Sequence, residues 1–171
     1  MSTSQNAEIV KMKIANALVN LMFDNDYNSV SVIDIVKEAD VSRATFYRHF
    51  PNKESVLNYC FDNIVLRFYR SVSMDFKTRE GYREAISHTF RTIKIYKKIL
   101  RATIVSGNSH LIRTYIDEQY ANAYRHDGKV DMVAYIYSGA FSNVIIKWLE
   151  ENCETPIDEI VDSIVKVTCP R

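Results

Sequence analysis

The residues from Val41 to Lys53 form a cluster of side chains that is suited to binding an anion. The cluster includes Arg43, Arg48 and His49 besides the terminal lysine, and it contains no Asp or Glu. Guanidinium and ammonium groups donate hydrogen bonds to phosphate oxygens, and an arginine can also donate two parallel bonds to the major-groove edge of guanine. This window therefore predicts contact with a phosphate-bearing partner.

The composition of the whole chain gives no such signal. The formal net charge is +1, and residues 1–56 carry six Lys or Arg against seven Asp or Glu. A nucleic-acid interaction must therefore rest on where the charges lie and not on their total. A stretch that carries basic residues and no acidic ones also occurs on the solvated face of an ordinary helix cluster. The predicted helices around this stretch must therefore be considered as well.

Two short helices are predicted in this region. Ser31 can cap the first helix, and Asp34 three residues later completes a capping box. Ser42 can cap the second helix, which Pro51 ends. Two helices of this length joined by a tight turn have helix-turn-helix spacing, in which the start of the second helix faces base edges in the major groove.

The side chains at the start of the second helix are suited to reading bases. Arg43 can bind guanine, and the methyl groups of Ala44 and Thr45 can contact the methyl group of thymine. Side chains farther along can donate to flanking phosphates, as can the backbone at helix N-termini. The candidate residues for DNA contact are Ser31, Ser42, Arg43, Ala44, Thr45, Tyr47, Arg48, His49 and Lys53.

The stretch from Ser29 to Leu57 closely resembles the DNA-binding region of TetR-family transcriptional regulators. The match covers the first 57 residues when the first predicted helix is included, and its most specific part is Thr45-Phe-Tyr-Arg-His-Phe50 followed by Asn52-Lys53. The resemblance implies an all-helical homodimer, usually a repressor, that leaves its operator when a small molecule binds the C-terminal domain.

The resemblance also implies roles for single residues. It assigns Tyr47 and His49 to contacts with the DNA backbone and Lys53 to a phosphate at the start of the fourth helix. Asp40 departs from the family pattern, which usually has Gly in the turn. Because Asp tolerates a left-handed backbone better than most residues, we expect the turn to form, although the carboxylate would lie near DNA and lower the affinity.

Composition and apolar spacing predict an all-α fold of about nine helices. The chain has four glycines and three prolines, with no proline between Pro51 and Pro156, which favours long helices. We predict a three-helix DNA-binding domain at residues 1–53 and a helical ligand-binding and dimerisation domain at residues 54–171. The predicted helices after residue 70 span 81–92, 93–105, 109–124, 129–151 and 156–166.

The candidate ligand site lies in the C-terminal domain. The fourth helix, which Asn52 can cap, carries a long apolar stripe, and the eleven tyrosines exceed what packing requires. Some tyrosines are expected to line a cavity with their polar tips, although an ordinary amphipathic surface would give the same pattern. The candidate ligand residues are Cys60, Ile64, Phe68, Tyr115 and Tyr137. Cys60 is interpreted as a small buried apolar residue, with oxidant sensing as the alternative.

The last two helices are predicted to form a four-helix bundle with those of a second copy. The helix at 129–151 is too apolar for one short chain to cover it on every side. The run from Tyr135 to Asn152 also resembles regulators of the dihydroxyacetone-kinase type. A Trp near the end of such a helix is expected in a core or an interface and not as a ligand stacker. The candidate interface residues are Tyr137, Phe141, Val144, Trp148 and Ile160.

The sequence contains little that indicates a metalloprotein or an enzyme. The three cysteines have no metal or redox spacing, and His88 and His110 have no partner at metal-ligand spacing. No nucleophile elbow, phosphate loop or zinc signature occurs, so we predict no metal, no cofactor and no enzymatic activity. The alternatives left open are a helical co-regulator that acts by protein contact without specific DNA binding and, third, a small-molecule enzyme on a helical scaffold.

The sequence also predicts where the protein acts. No apolar stretch approaches the ~20 residues that a membrane-spanning helix needs, and the first residues lack a signal-peptide pattern. The content of hydrophobic residues, 47%, and of charged residues, 25%, is that of an ordinary globular protein. We therefore expect a cytoplasmic protein that does not bind a membrane.

Overall fold

The computed structural model describes the backbone of residues 3–71 and 78–168 and the side chains of residues 5–66 and 78–168. These residues form nine helices and one short hairpin, which confirms the all-α prediction. The helices are α1 (Thr3–Asp24), α2 (Val32–Glu38), α3 (Arg43–His49), α4 (Lys53–Ser71), α5 (Arg79–Ile95), α6 (Lys97–Val105), α7 (Ser109–Ala123), α8 (Met132–Glu150) and α9 (Ile157–Thr168). Strands β1 (Arg125–His126) and β2 (Lys129–Val130) lie between α7 and α8.

The chain divides into two compact units, Met1–Asn63 and Ile64–Arg171. The division falls inside α4, whereas the predicted domain boundary after residue 53 falls at the start of that helix. None of the helices in the described part of the chain combines the length and the apolar character that crossing a membrane requires.

The first unit is built around apolar side chains that the four helices direct inward. Ile14 and Leu18 of α1, Ile35 of α2, Phe46 of α3 and Leu57 of α4 are each 0% exposed. Burying a side chain of this size contributes about 1.5–3 kcal/mol, and helices as short as α2 and α3 are not stable by themselves. The two short helices therefore depend on this core for their position.

The second unit packs α7 along α8 and α5 along α9. The buried face of α8 carries the small residues Ala134, Ser138 and Ser142 at every fourth position. Arg113 of α7 donates to Ser142 Oγ at 3.2 Å and to Asn143 Oδ1 at 2.9 Å. Small residues allow two helices to approach closely, and the arginine fixes their register.

The hairpin corrects the prediction of a helix from residue 129 to residue 151. Arg125–His126 pairs with Lys129–Val130 around a two-residue turn, in which Asp127 has φ 49° and Gly128 has φ 78°. Positive φ at both positions is the type I′ geometry that Asp-Gly favours. The side chain of Asp131 then accepts a hydrogen bond from the backbone N–H of Val133 and caps α8, so this helix begins only at Met132.

Two other predicted helix boundaries are shifted in the structure. The break between α5 and α6 falls at Tyr96 and not between residues 92 and 93, and α9 begins at Ile157, one residue after Pro156. The carbonyl oxygen of Thr155, which precedes α9, accepts a hydrogen bond from Trp148 Nε1 at 2.9 Å. The indole packs edge-on against Phe90, with 5.3 Å between ring centroids. This buried indole joins α8 to the turn before α9.

Candidate nucleic-acid interface

Helix α3 is held by one aromatic side chain and presents most of its other side chains to solvent. Phe46 is 0% exposed, and its ring lies 6.1 Å from the ring of Phe50. Phe50 in turn packs edge-on against Tyr59 of α4 at 5.6 Å. The exposed residues of α3 are Arg43, Ala44, Tyr47 and Arg48, and the half-buried ones are Thr45 and His49.

Ser42 caps α3 as the sequence predicts. Its Oγ accepts a hydrogen bond from the backbone N–H of Thr45 at 3.0 Å, and the two hydroxyl oxygens lie 2.9 Å apart. Both hydroxyls are therefore engaged in the cap. The methyl group of Thr45 is the part of this side chain that is suited to a contact with thymine.

Ser31 and Asp34 form the predicted capping box at the start of α2. Ser31 Oγ accepts from the backbone N–H of Asp34 at 3.2 Å, while the carboxylate accepts from the backbone N–H of Ser31 at 2.9 Å and from its hydroxyl at 2.6 Å. These hydrogen bonds to the ionised form are the main cause that lowers the pKa of Asp34.

The turn between α2 and α3 ends α2 with a left-handed residue. Asp40 has φ 51°, its N–H donates to the carbonyl of Lys37 at 3.3 Å, and the N–H of Val41 donates to the carbonyl of Val36 at 3.0 Å. This pair of bonds is the Schellman motif that usually has glycine at this position. The expectation that Asp40 supports the turn is confirmed.

Lys53 takes a position that its sequence context does not reveal. Its ammonium donates to the carbonyl of Tyr27 at 2.7 Å and to the carbonyl of Val30 at 2.8 Å. It also lies 4.3 Å from the centroid of the Tyr27 ring. Burial lowers the pKa of Lys53. No pattern of local spacing links residues so far apart in the chain, and sequence reasoning missed this contact.

The structure divides the candidate ligand residues between the two units. Cys60 is buried in the first unit, and burial raises the pKa of its thiol to about 12. A thiol that stays protonated is a poor nucleophile, which disfavours the oxidant-sensing alternative. Ile64, Tyr115 and Tyr137 are half-buried residues of the second unit. The side chain of Phe68 lies outside the described residues.

Tyr137 belongs to a group of stacked rings at the end of α7 and the first half of α8. Its ring centroid lies 6.5 Å from that of Tyr120 and 6.1 Å from that of Tyr124. Phe141 joins the group at 6.0 Å from Tyr120. The interplanar angles are all 26° or less, so this part of the tyrosine excess serves packing between two helices.

Four of the five candidate interface residues line an apolar groove on α8 and α9 or the hollow beside it. The groove has a volume of about 390 Å³, and Phe141, Val144 and Ile160 are among the residues that line it. A neighbouring hollow, which also contains Val144 and Ile160, extends the concave surface to Trp148. Trp148 is only 2% exposed, so it supports the groove mostly from inside the chain.

The described residues, 3–71 and 78–168, contain no group of three or more His, Cys, Asp or Glu side chains that could hold a metal ion. His88 and His110 lie on α5 and α7, far apart in the chain. The exposed side of α3 carries the guanidinium groups of Arg43 and Arg48 and the side chain of Tyr47.

Two short capped helices joined by a tight turn form a helix-turn-helix motif, in which Phe46 anchors the second helix and the arginines are exposed. Residues 14–60 match the model of bacterial regulatory proteins of the tetR family, and residues 80–168 match a transcriptional regulator C-terminal region. The chain belongs to the TetR family of transcriptional regulators, which are not enzymes. The resemblance seen in the sequence is confirmed.

Individual relatives support this assignment. The chain is 31% identical over 102 residues to the uncharacterized HTH-type transcriptional regulator YuxN of Bacillus subtilis, a match that covers 57% of this chain and 35% of YuxN. It is 42% identical over 55 residues to the dhaKLM operon transcriptional activator DhaS of Lactococcus lactis, covering 32% of this chain and 29% of DhaS. The matched part of this chain thus spans about a third of each of these curated relatives.

A solved structure has a similar fold over most of this chain. A TetR transcriptional regulator from Streptococcus agalactiae superposes with a TM-score of 0.61 over 95% of both chains, at 18% sequence identity. At this identity the likeness concerns the fold alone.

The capping box makes the stability of the protein depend on pH in a defined direction. Because the pKa of Asp34 is lowered below its ordinary value of 3.8 in the folded state, its contribution is present above that value and is lost as the pH falls through the folded-state pKa. We expect the urea midpoint of the wild type to exceed that of Asp34→Asn at neutral pH, and the difference to shrink below about pH 4.

The matched control for this experiment is Asp24→Asn. Asp24 is an exposed residue at the end of α1, so its replacement removes one negative charge and leaves the hydrogen bonds between Ser31 and Asp34 in place. A constant difference between the wild type and Asp34→Asn from neutral pH to about pH 2 would contradict the assigned role of this carboxylate.

Proposed function

We propose that this chain is a sequence-specific DNA-binding transcriptional regulator that reads an inverted-repeat operator as a homodimer. The observation that carries the proposal is the side-chain arrangement of α3, which buries Phe46 completely and exposes Arg43, Ala44, Tyr47 and Arg48. This arrangement fits a helix that lies in the major groove with its first turn toward the bases.

Each part of α3 has a proposed task. Arg43, in the first turn, donates to guanine, while the methyl groups of Ala44 and Thr45 contact thymine. Tyr47, Arg48 and His49 donate to phosphates and fix the register of the helix on the duplex. The backbone N–H groups at the N-termini of α2 and α3, which follow Ser31 and Ser42, can also donate to phosphates.

The charge of α3 favours DNA binding, whereas the net charge of the first unit does not. Residues 1–63 carry six Lys or Arg and eight Asp or Glu, so this unit has a net negative charge. α3 itself has two arginines, a histidine and no acid. Binding therefore depends on presenting this one helix to the duplex, and affinity is expected to fall steeply with salt.

The groove on α8 and α9 supports a homodimer. Its lining is mostly apolar and includes the exposed residues Ala140 and Val167, the kind of surface that a second copy of the same helices would cover. Nearer the start of α8, Val133 is 36% exposed and Ile136 is 69% exposed. One α3 touches too few bases for tight selective binding, so two copies on a repeated sequence also meet the needs of recognition.

Regulation completes the proposal. We infer that the protein acts as a repressor and that a small molecule bound in the C-terminal unit releases it from DNA. The candidate residues for this ligand that belong to the described part of the C-terminal unit are Ile64, Tyr115 and Tyr137. The ligand must bind the DNA-incompetent arrangement of the dimer more tightly than the competent one, because equal affinity would shift nothing.

Selection of binding sites from a random duplex library tests the proposal. The wild type is expected to enrich an inverted repeat with half-sites about one helical turn apart. On the selected site, Arg43→Ala should weaken binding by about 1–3 kcal/mol for each guanine that the arginine binds, and it should relax the preference at one base pair in each half-site. Fluorescence anisotropy with base-substituted duplexes measures both effects.

Lys166→Ala is the matched control for charge. It removes one cation from α9, in the other unit of the chain, and should bind the selected site like the wild type. The absence of any enriched sequence at moderate salt would favour the co-regulator that acts by protein contact alone.

Replacing Val144 tests the homodimer. Val144→Glu places a charge in the apolar groove and should convert the dimer to a monomer at micromolar concentration, as measured by sedimentation. Tyr135→Glu, on the same helix at a residue that is 51% exposed and lies outside the groove lining, should remain dimeric. A wild type that sediments as a monomer would contradict the proposed interface.

A further inference from the structure

We propose that the second unit contains a binding site for a small ligand that carries a phosphate group. Lys94, Lys97 and Arg101 form the site, beside the turn that joins α8 to α9. These residues and the turn belong to the second unit, so the site is separate from the cationic side of α3 and its occupancy does not depend on DNA.

A long stretch of the second unit carries basic residues and no acidic ones. Residues 85–116 contain six Lys or Arg and no Asp or Glu, and they form α6, much of α5 and the first half of α7. A local surplus of one charge raises the concentration of ligands of the opposite charge. This surplus favours an anionic ligand wherever the fold brings several of the cations together.

The helices α5 and α6 place three of these cations on one side. Only Tyr96 separates the two helices, and its carbonyl accepts a hydrogen bond from the N–H of Leu100 at 3.3 Å, so the helical path is nearly continuous. Side chains three and four residues apart on a helix are neighbours. Lys94, Lys97 and Arg101 have this spacing, and they therefore share one side of the helical path.

Arg101 directs this side toward the turn between α8 and α9. Its Nη1 donates to Asn152 Oδ1 at 2.7 Å, whereas its Nε is buried and has no hydrogen-bond partner. The edge that Nε shares with Nη2 is one on which arginine can donate two parallel hydrogen bonds to a phosphate. A small oxyanion that enters beside the guanidinium would supply the acceptor that Nε lacks.

The two lysines lie near the same turn. Cys153, the residue after Asn152, is 6% exposed, and burial is the main cause that raises the pKa of its thiol. The charges of Lys97, Lys94 and Arg101 oppose this rise, which requires that all three cations lie close to the thiol. The spacing on the helices and the contact with the turn thus agree on one place.

The described acidic residues leave these three cations without an ion pair. Of the acids that precede the turn, Glu151 forms an ion pair with Lys147 at 3.0 Å, and Glu150 also acts on this lysine. Three cations in one place suit an oxyanion with more than one negative charge, such as phosphate. Because the Nε donor is buried, a small ligand reaches it more readily than the backbone of a DNA duplex.

Calorimetric titration with inorganic pyrophosphate at constant ionic strength tests the site in the full-length protein. The wild type is expected to show saturable binding. Lys97→Gln removes one charge and keeps the hydrogen bond between Arg101 and Asn152, and it should raise the dissociation constant at least about tenfold. Arg101→Gln should weaken binding at least as much, and Lys97→Gln still decides the test if Arg101→Gln fails to fold.

Arg91→Gln is the matched control. Arg91 is exposed on α5, and its replacement removes the same charge from the same acid-free stretch. We expect its dissociation constant for pyrophosphate to stay within about twofold of the wild-type value. An equal loss in Arg91→Gln and Lys97→Gln would mean that pyrophosphate responds only to total charge, and it would overturn the proposal.

The other outcomes are also distinct. A wild type that takes up no pyrophosphate would overturn the proposal, and so would an unchanged affinity in Lys97→Gln, which would place the anion elsewhere, for example on α3. The salt slope of DNA binding should be the same in Lys97→Gln and the wild type. A slope lowered by about 0.9 for each copy of the chain would make Lys97 a DNA contact and overturn the proposal. If the wild type binds no duplex, the proposed function fails and the pyrophosphate titration still decides this site.

Discussion

The burial of Phe46 is the constraint on which the DNA-binding unit depends. α3 has only seven residues, and a helix of that length does not persist in water without packing. Complete burial of this one ring contributes about 1.5–3 kcal/mol and fixes which side of α3 faces solvent. Its neighbour Phe50 extends the packing to Tyr59, so α3 and the first turns of α4 form one packed group. The exposed arginines are directed outward because the aromatic side of the helix is held inward.

In the second unit, a short chain must cover long apolar helices. α8 buries small residues against α7 and Trp148 against Phe90, yet it still exposes Ile136 and lines an apolar groove with α9. A chain of this size leaves part of such a helix uncovered, and a two-fold mate of the same surface is the simplest cover. In the proposed homodimer, recognition of a repeated DNA sequence and burial of this groove both follow from one association.

Local sequence patterns predict the features that arise within a few residues of each other. Ser31 and Ser42 cap their helices as expected, and Asp40 adopts the left-handed turn, because caps and turns depend on side chains and backbone groups that are close in the chain. The hairpin turn at Asp127-Gly128 also depends on neighbouring residues. Its second strand is predicted as the start of a helix because the apolar spacing of α8 follows directly after it. The hydrogen bonds of Lys53 could not be predicted, since they join segments more than twenty residues apart and depend on the tertiary fold. Which residues touch DNA or a ligand stays a prediction for the same reason.

Methylation interference on a selected duplex tests the central claim, that α3 reads the major groove, most directly. Dimethyl sulfate methylates guanine at N7 in the major groove and adenine at N3 in the minor groove, so one experiment compares the two grooves. Methylation of guanine N7 in each half-site is expected to block binding of the wild-type dimer, and Arg43→Ala should become insensitive to methylation at one guanine per half-site. Interference confined to adenine N3, or the same guanine pattern with and without Arg43, would contradict the account.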